Sequence, residues 1–530
     1  MENKLSKTAQ HEDIGWNPGH NVWFIALTVT LATFMEVLDT SVANVALPHI
    51  AGGLAAGQDE STWVLTSYLV SNAIVLPLSG WLSSIFGRKR FYMSCVALFT
   101  VGSFLCGIAP SLPFLILFRV MLGAGGGGLQ PSEQAILADT FPPAKRGMAF
   151  AVYGMAVVVA PALGPTIGGW ITDNYSWRWI FFINIPIGIL SLALTSLLVA
   201  DPPWLRGRRS AGVKVDYMGF ALLALGLGAL QVLLDKGERE DWFETHYIVV
   251  LAVIAAVCLI AVYFWEMKHR DPMIEVHLLR DRTFLASCVM LFLVGFALYG
   301  TTVLLPQLAQ TLMGYSAELA GLVLMPGGFA LILLLPVVGA LLAHYDARAL
   351  IAFGFFILAI SMFWMAHRFD LAIDFKTLVW ARIFQSAGLA FLFIPINTAA
   401  YAYLPREKNN AASGLINLAR NIGGSVGISF VTTELARRAQ YHQSVLTTRA
   451  TLLSPGFRDA LQNASRLFLS AGNVTAQHQA FGQIYGMIVR QAGMLAYVDN
   501  FWILAVISLV VIPLVLLMKR PPKGTFAAAH

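Results

Sequence analysis

The chain of 530 residues has little charge: only 12% of it is Asp, Glu, Lys or Arg. Soluble proteins carry about 25%, and disordered chains depend on a high charge content, so neither class fits. Cysteine is scarce as well. Cys95, Cys106, Cys258 and Cys288 all lie inside apolar runs and show no CxxC or ligand-like spacing. They read as small buried apolar residues, with little support for a disulfide or a metal site. GxSxG, HExxH, a Walker loop and a GxGxxG in strand-to-helix context are missing, which argues against an enzyme, a nucleotide-binding protein or an ATP-driven pump. The net charge of +6 does not point to nucleic acid, because the cations are scattered between apolar runs and form no basic face.

Apolar residues are plentiful. They make up 57% of the chain, with a mean hydropathy of +0.68, enough for about fourteen membrane helices at ~20 residues each. Turn and charge signals place spans near 22–48, 61–86, 91–109, 112–136, 148–171, 178–199, 216–235, 246–267, 284–308, 316–343, 349–368, 376–402, 411–435 and 499–518. The run from Val22 follows a polar tail and lacks a small-residue cleavage pattern, so it reads as a retained span. With both termini cytoplasmic, 21 of the 35 cations fall on cytoplasmic segments and two, Lys236 and Arg239, on short exterior loops. Short-loop cations resist translocation, which favours this orientation, whereas the six arginines of the long polar segment 436–498 are exempt. Six cations remain in or beside spans: Arg119, Arg178, Arg368, Lys376, Arg382 and Arg420.

An internal repeat divides the apolar mass. Arg119 opens RVMLGAGGGGLQP and precedes Pro142 by 23 residues; Arg382 opens RIFQSAGLAFLFIP and precedes Pro405 by 23 residues, at an offset of 263. A cytoplasmic turn precedes each, GWLSSIFGRKR from Gly80 and GALLAHYDAR from Gly339. Such repeats point to a transporter of two similar halves around a central site. The expected organisation is a cytoplasmic tail at 1–21, a six-helix half at 22–200, two inserted helices at 201–270, a second six-helix half at 271–518 containing the long periplasmic loop 436–498, and a cytoplasmic tail at 519–530.

LDTSVANVALP at 38–48, GWLSSIFGRKR at 80–90, the segment from Arg119 to Pro131, GPTIGGW at 164–170 and WRWIFFINIPIG at 177–188 together resemble the major facilitator superfamily. Within it, the chain is similar to the fourteen-span drug:proton antiporters that form the inner-membrane part of three-component efflux systems. The resemblance implies an all-α integral membrane protein with the major facilitator fold, in two pseudo-symmetric six-helix halves plus two inserted helices. It implies no enzyme activity and no cofactor, but proton-driven export of hydrophobic or amphipathic toxic compounds across the bacterial inner membrane. The implied partners are a periplasmic membrane-fusion protein (EmrA-like) and an outer-membrane channel (TolC-like). The pattern departs in places. Ser84 and Ile85 stand where the superfamily's cytoplasmic motif has Asp and Arg, which weakens a charge relay there although Gly80, Gly87, Arg88 and Arg90 remain. Leu122 replaces a common Gln, and Glu36 is an added acid where Gln is expected.

Charges within a span cost ~2.5 to 3.5 kcal/mol each on insertion scales, so they face a cavity or a partner. Glu36 and Asp39 stand three residues apart, about 60° around a helix and ~4.5 Å along it, so both can face one cavity. Two carboxylates so close in low dielectric repel, which favours a proton on one of them. Asp39 is therefore the expected principal protonation site, with Glu36 assisting or binding a cationic substrate. The alternatives are that Asp39 is merely a salt-bridge partner for Arg119 and that Glu36 is solvated near the external mouth. Gly125 to Gly128 read as tight packing, and Arg382 holds the repeat-related place of Arg119 without a readable partner. Gly154, Pro161, Gly164, Pro165, Gly168 and Gly169 form a kinked, small-sided fifth span, a gate or hinge or else passive packing. Glu133 is expected to be solvated at the cytoplasmic end, and Tyr299, Gln307, Asn397, Asn417 and Arg382 to line the substrate cavity. GFRDALQNASRLF and FGQIYGMIVRQAGML in 436–498 are amphipathic; they fit a helical hairpin that docks the fusion protein, or a functionless insertion. Competing readings are a proton-coupled symporter, an exporter of one metabolite and a membrane sensor.

Overall fold

A computed structural model describes residues 19–142, 145–202, 216–269, 272–342, 344–402, 404–405, 408–467 and 473–519. Most of the tails expected at 1–21 and 519–530, the insert's residues 203–215, and Arg270 and Arg406 lie outside the described residues. The described chain is helical: α1 (Val22–Gly53), α2 (Trp63–Phe86), α3 (Arg88–Gly107), α4 (Leu112–Thr140), α5 (Arg146–Asn174), α6 (Trp179–Leu198), α7 (Tyr217–Lys236), α8 (His246–Lys268), α9 (Arg282–Thr311), α10 (Ala317–Leu341), α11 (Ala347–Arg368), α12 (Phe375–Tyr401), α13 (Asn409–Arg449), α14 (Pro455–Leu467) and α15 (Asn473–Val511).

Local chemistry sets many of these starts. Asn21, Asp216, Asp281, Ser316, Asp346 and Asp374 each accept a hydrogen bond from a backbone N–H of the first turn that follows, satisfying donors a helix end leaves free. Between α2 and α3 the chain reverses at Gly87, whose φ of 86° disfavours any side chain.

Each of the fourteen expected spans coincides with a helix. Among the described residues twelve helices are long and apolar enough to cross a membrane; α5 makes a thirteenth if its pieces Arg146–Pro161 and Thr166–Asn174, bent by 44°, count as one span. The remaining helix, α13, is too polar on average, since Ser413, Asn417 and Arg420 on it are buried against protein.

Packing repeats the sequence symmetry. In the first half α1 packs on α5, α2 on α4, α3 on α4 and α3 on α6; in the second, α9 packs on α13, α10 on α12, α11 on α12 and α11 on α15. The halves meet where α5 crosses α10 and, in the equivalent place, where α2 crosses α13. The inserted helices α7 and α8 pair with each other, and α7 lies on both α2 and α13 at one side of the junction. There Gln231 accepts from Ser425 Oγ at 3.0 Å, and Thr66 donates to Asp235.

The segment 436–498 is no simple loop. At 1.5 Å per residue the 41 residues of α13 run ~61 Å, about twice the ~30 Å hydrocarbon thickness. α13 and α15 therefore continue past the bilayer, with α14 bridging them and burying Leu461 and Ala464 against Ala480 and Ile484.

Candidate functional site

The two acids of α1 lie in different networks. Asp39 Oδ2 receives Arg119 NH1 of α4 at 2.6 Å, and Asp39 Oδ1 receives Asn184 Nδ2 of α6 at 2.8 Å. Arg119 also donates from Nε to the Val64 carbonyl at 2.9 Å, and its guanidinium lies 4.5 Å from the centre of the Tyr68 ring. Asp39 is 1% exposed and Arg119 0%, so this is a fully dry ion pair, costly to form and costly to break. The glycines after Arg119 allow the approach: a Cβ on Gly125 would sit 2.6 Å from the Phe99 nitrogen, and one on Gly127 2.6 Å from the Asn72 carbonyl oxygen.

Glu36 turns toward the other half. It accepts from Tyr68 OH at 3.3 Å, Asn72 Nδ2 at 3.2 Å and Gln130 Nε2 at 3.0 Å. The Gln130 oxygen in turn accepts from Arg420 of α13 and from Tyr153 OH of α5, and Arg420 NH1 donates to Tyr153 OH at 2.8 Å. The chain Glu36, Gln130, Arg420 thus crosses from one half to the other. Glu36 is buried, not solvated at an external mouth.

Further along α4 the two halves are locked. Gln134 exchanges hydrogen bonds with Asn417 and accepts from Tyr401 OH at 3.1 Å. Ser413 Oγ donates to the Pro131 carbonyl at 2.7 Å. Asp139 pairs with Arg88 and accepts Asn409 Nδ2 at 2.7 Å. An ion pair therefore stands beside Gly87 despite Ser84 and Ile85, its acid supplied by α4, and a hydrogen bond from α13 extends it. Backbones touch here as well. A Cβ on Gly80 would lie 2.8 Å from Ala411 Cα, and one on Gly147 3.1 Å from the Gly339 carbonyl oxygen.

Other expected residues fall as follows. Glu133 is 0% exposed and accepts from Thr30 Oγ1 at 2.5 Å; the solvated position expected for it is wrong, because α1 and α5 cover that stretch of α4. Asn417 belongs to the closed junction, not to a cavity wall, and buried Asn397 donates to the Phe393 carbonyl of its own helix. Tyr299 and Gln307 on α9 are half-buried, and Arg90 is exposed outside the lock. Gly154 faces Phe393; Gly164 and Gly168 fit against Ser41 and Val42 of α1, while nothing lies within 4 Å of a Cβ on Gly169. Pro161 and Gly164 stand at the bend of α5, where Ser41 Oγ donates to the Pro161 carbonyl at 3.1 Å. Pro165 is in the same stretch of helix. Arg382 is 2% exposed and is held by Gln385 and Thr302.

Sequence reasoning missed Asn184, Gln130, Tyr153, Gln134 and Asp139. The available signal was their polarity inside apolar stretches, and Arg420 had already been counted among the intramembrane cations.

A profile of the Major Facilitator Superfamily matches residues 29–428. The chain is 38% identical over 506 residues to the Multidrug export protein EmrB of Escherichia coli (strain K12), covering 95% of this chain and 96% of that one. It is 37% identical over 503 residues to the Fatty acid resistance protein FarB of Neisseria gonorrhoeae, covering 94% and 96%. The structure of the proton:xylose symporter XylE superposes with a TM-score of 0.58 at 15% identity, covering 91% of this chain and 99% of that one, which speaks to fold alone. With a profile that spans most of its length, relatives aligned nearly end to end and two halves packed to one plan, the chain belongs to the Major Facilitator Superfamily.

Proposed function

We propose that the protein is a proton-coupled multidrug efflux antiporter of the bacterial inner membrane, exporting hydrophobic or amphipathic toxic compounds by alternating access. The observation that carries this reading is the dry Asp39–Arg119 pair at the core of the first half, taken with the near full-length similarity to a multidrug export protein. A proton on Asp39 removes its attraction to Arg119 and frees α1 from α4. Glu36, three residues away, passes that change through Gln130 to Arg420 in the other half. The locked end carries Arg88, Arg90, Lys89 and Lys145, so the positive-inside rule makes it cytoplasmic. In this reading the halves are closed toward the cytoplasm, and the bend of α5 at Pro161 and Gly164 serves as hinge. The proton gradient is the driver, and no cofactor is needed; each charge crossing 100 mV supplies ~2.3 kcal/mol. Asp39→Asn is expected to abolish proton-dependent export by protein reconstituted into proteoliposomes. Export by this variant at the wild-type rate would sink the assignment.

The extramembrane helices point to the partner. Leu453 is 91% exposed, and Leu452 beside it, Leu467 at the far end of α14 and Tyr485 on α15 are exposed too, so the extramembrane helices present apolar side chains to water. These helices are the proposed dock for the EmrA-like fusion protein, which leads to the TolC-like channel. Leu452→Ser with Leu453→Ser is expected to cut copurification of the fusion protein at least about fivefold, given the weight of buried apolar anchors in interfaces. Undiminished copurification after deletion of 440–490 would remove the dock from the proposal.

A further inference from the structure

Arg382 is a buried cation without an anion. Its NH1 donates to Gln385 Oε1 at 2.9 Å and its NH2 to Thr302 Oγ1 at 3.5 Å, both neutral acceptors. Its Nε has no partner, and among the described residues it enters no ion pair. Beside it the Ser386 hydroxyl, also fully buried, has no partner. Arg382 and Ser386 converge on Gly327 of α10: a Cβ there would lie 2.6 Å from both Arg382 Cγ and Ser386 Oγ. Unused donors on one small site, with a full positive charge among them, make a place that is short of negative charge. Protein interiors seldom leave such groups unanswered.

The internal repeat says what is missing. The segments of α4 and α12 match at an offset of 263, which carries Arg119 to Arg382, and α1 of the first half answers to α9 of the second. In the first half Arg119 binds the Val64 carbonyl through Nε and Asp39 through NH1. In the second half the arginine still reaches toward the answering helix, α9, but the side chain it meets there is Thr302, which is uncharged. α9, Arg282–Thr311, contains no Asp or Glu, so neither carboxylate of α1 has a counterpart on it. The arginine of the repeat is retained and the acid on the helix it faces is missing. Thr302 is half-buried, where Arg382, Gln385 and Ser386 are buried, so of the four side chains it is the most open.

We propose that Arg382, with Gln385, Thr302 and Ser386, forms an anion-binding site in the second half that takes a single negative charge of carboxylate or halide size. The occupant is either the acid group of a transported amphipath or a resident chloride. In the first case the inference rests on the efflux reading and deepens it, giving the protein one half that handles protons and one that receives anionic substrates.

The test uses full-length protein in detergent, with radiolabelled decanoate as the amphipathic carboxylate and radioactive chloride as the halide, counter-anions being replaced by gluconate. Arg382→Gln removes the charge. Thr302→Asp supplies an acid from within, at the side chain that already meets Arg382 NH2. Size-exclusion profiles report whether each variant is folded, and Arg382→Lys keeps the charge should Arg382→Gln fail. Each substitution is expected to weaken binding by about tenfold or more, the scale of a charged hydrogen-bonded contact; Arg382→Lys retains part of it. Loss confined to decanoate identifies a substrate carboxylate, and loss confined to chloride a resident halide. Wild-type protein that binds neither anion, or folded Thr302→Asp that binds both within about twofold of wild type, overturns the site, because a built-in acid must compete with any external one. Proton-driven export of tetraphenylphosphonium by the wild type is measured alongside. Its absence counts against the efflux reading and leaves the anion comparison intact.

Discussion

At the scale of single residues, the dry charges define this protein. Asp39 and Arg119 were legible in the sequence because ionisable groups are rare inside spans and need partners. Their third member, Asn184, was not, because an amide near a helix start reads as an ordinary cap or turn residue. Asp139 was hidden differently. It lies at the end of a long apolar stretch next to a proline-containing turn, where a carboxylate normally meets water. The fold instead buries it between Arg88 and Asn409. Asp139→Ala leaves the buried Arg88 guanidinium without a counter-charge. Removing one partner of such a pair costs about 3 to 5 kcal/mol. The expected outcome is a clear drop in the thermal unfolding temperature, read by fluorescence of the detergent-solubilised protein. A paired change of Arg88→Met with Asp139→Leu is expected to cost less, since no charge is stranded; equal losses for the two constructions would mean that packing, not charge, holds this corner.

At the scale of elements, α5 and α13 show where hydropathy reading stops. Apolar runs located a helix for each of the fourteen expected spans, because a span's hydrophobicity is local to about 20 residues. The end of α13 was placed near residue 435, yet the helix continues to Arg449. A helix leaving the membrane changes its solvent without changing its backbone hydrogen bonds, so no breaker marks the exit. In α5 the small residues were visible, but not which of them carry contacts. Gly164 sits against Ser41 while Gly169 faces open space. Gly164→Val is therefore expected to drive α1 and α5 apart and reduce export by about tenfold or more, overpacking of this kind costing ~1 to 3 kcal/mol. Gly169→Ala is expected to leave the export rate close to wild type. Indistinguishable rates for the two variants would show that the α1–α5 contact does not limit transport.

At the scale of the whole molecule, the two halves touch at α5 with α10 and at α2 with α13, and the polar lock lies at the end richest in short-loop cations. Gly147 and Gly339 face one another there with no side chain between. The double substitution Gly147→Cys and Gly339→Cys is expected to form a disulfide under mild oxidation, since a Cβ on Gly147 would lie 3.7 Å from Gly339 Cα and such bridges join closely apposed backbones. Alternating access requires these backbones to part, so the oxidised protein is expected to stop exporting and reduction to restore it. Full transport with the bridge intact would show that this junction does not open in the cycle.

By itself the sequence determined the membrane class, the helices, the two-half plan and the intramembrane charges, because each depends on composition within one span or on similarity between two segments. Tertiary structure alone decided which polar groups meet. Gln130 and Arg420 are 290 residues apart and Asn409 and Asp139 are 270 apart; contacts over that distance follow from how helices cross. Packing also turned Glu133 from an expected surface acid into a buried one. It further left Arg382, the repeat-related twin of Arg119, without the acid that its position would have led one to expect. The low charge content of the chain is a local property of its spans, and the assignment of partners to the few charges that remain belongs to the fold.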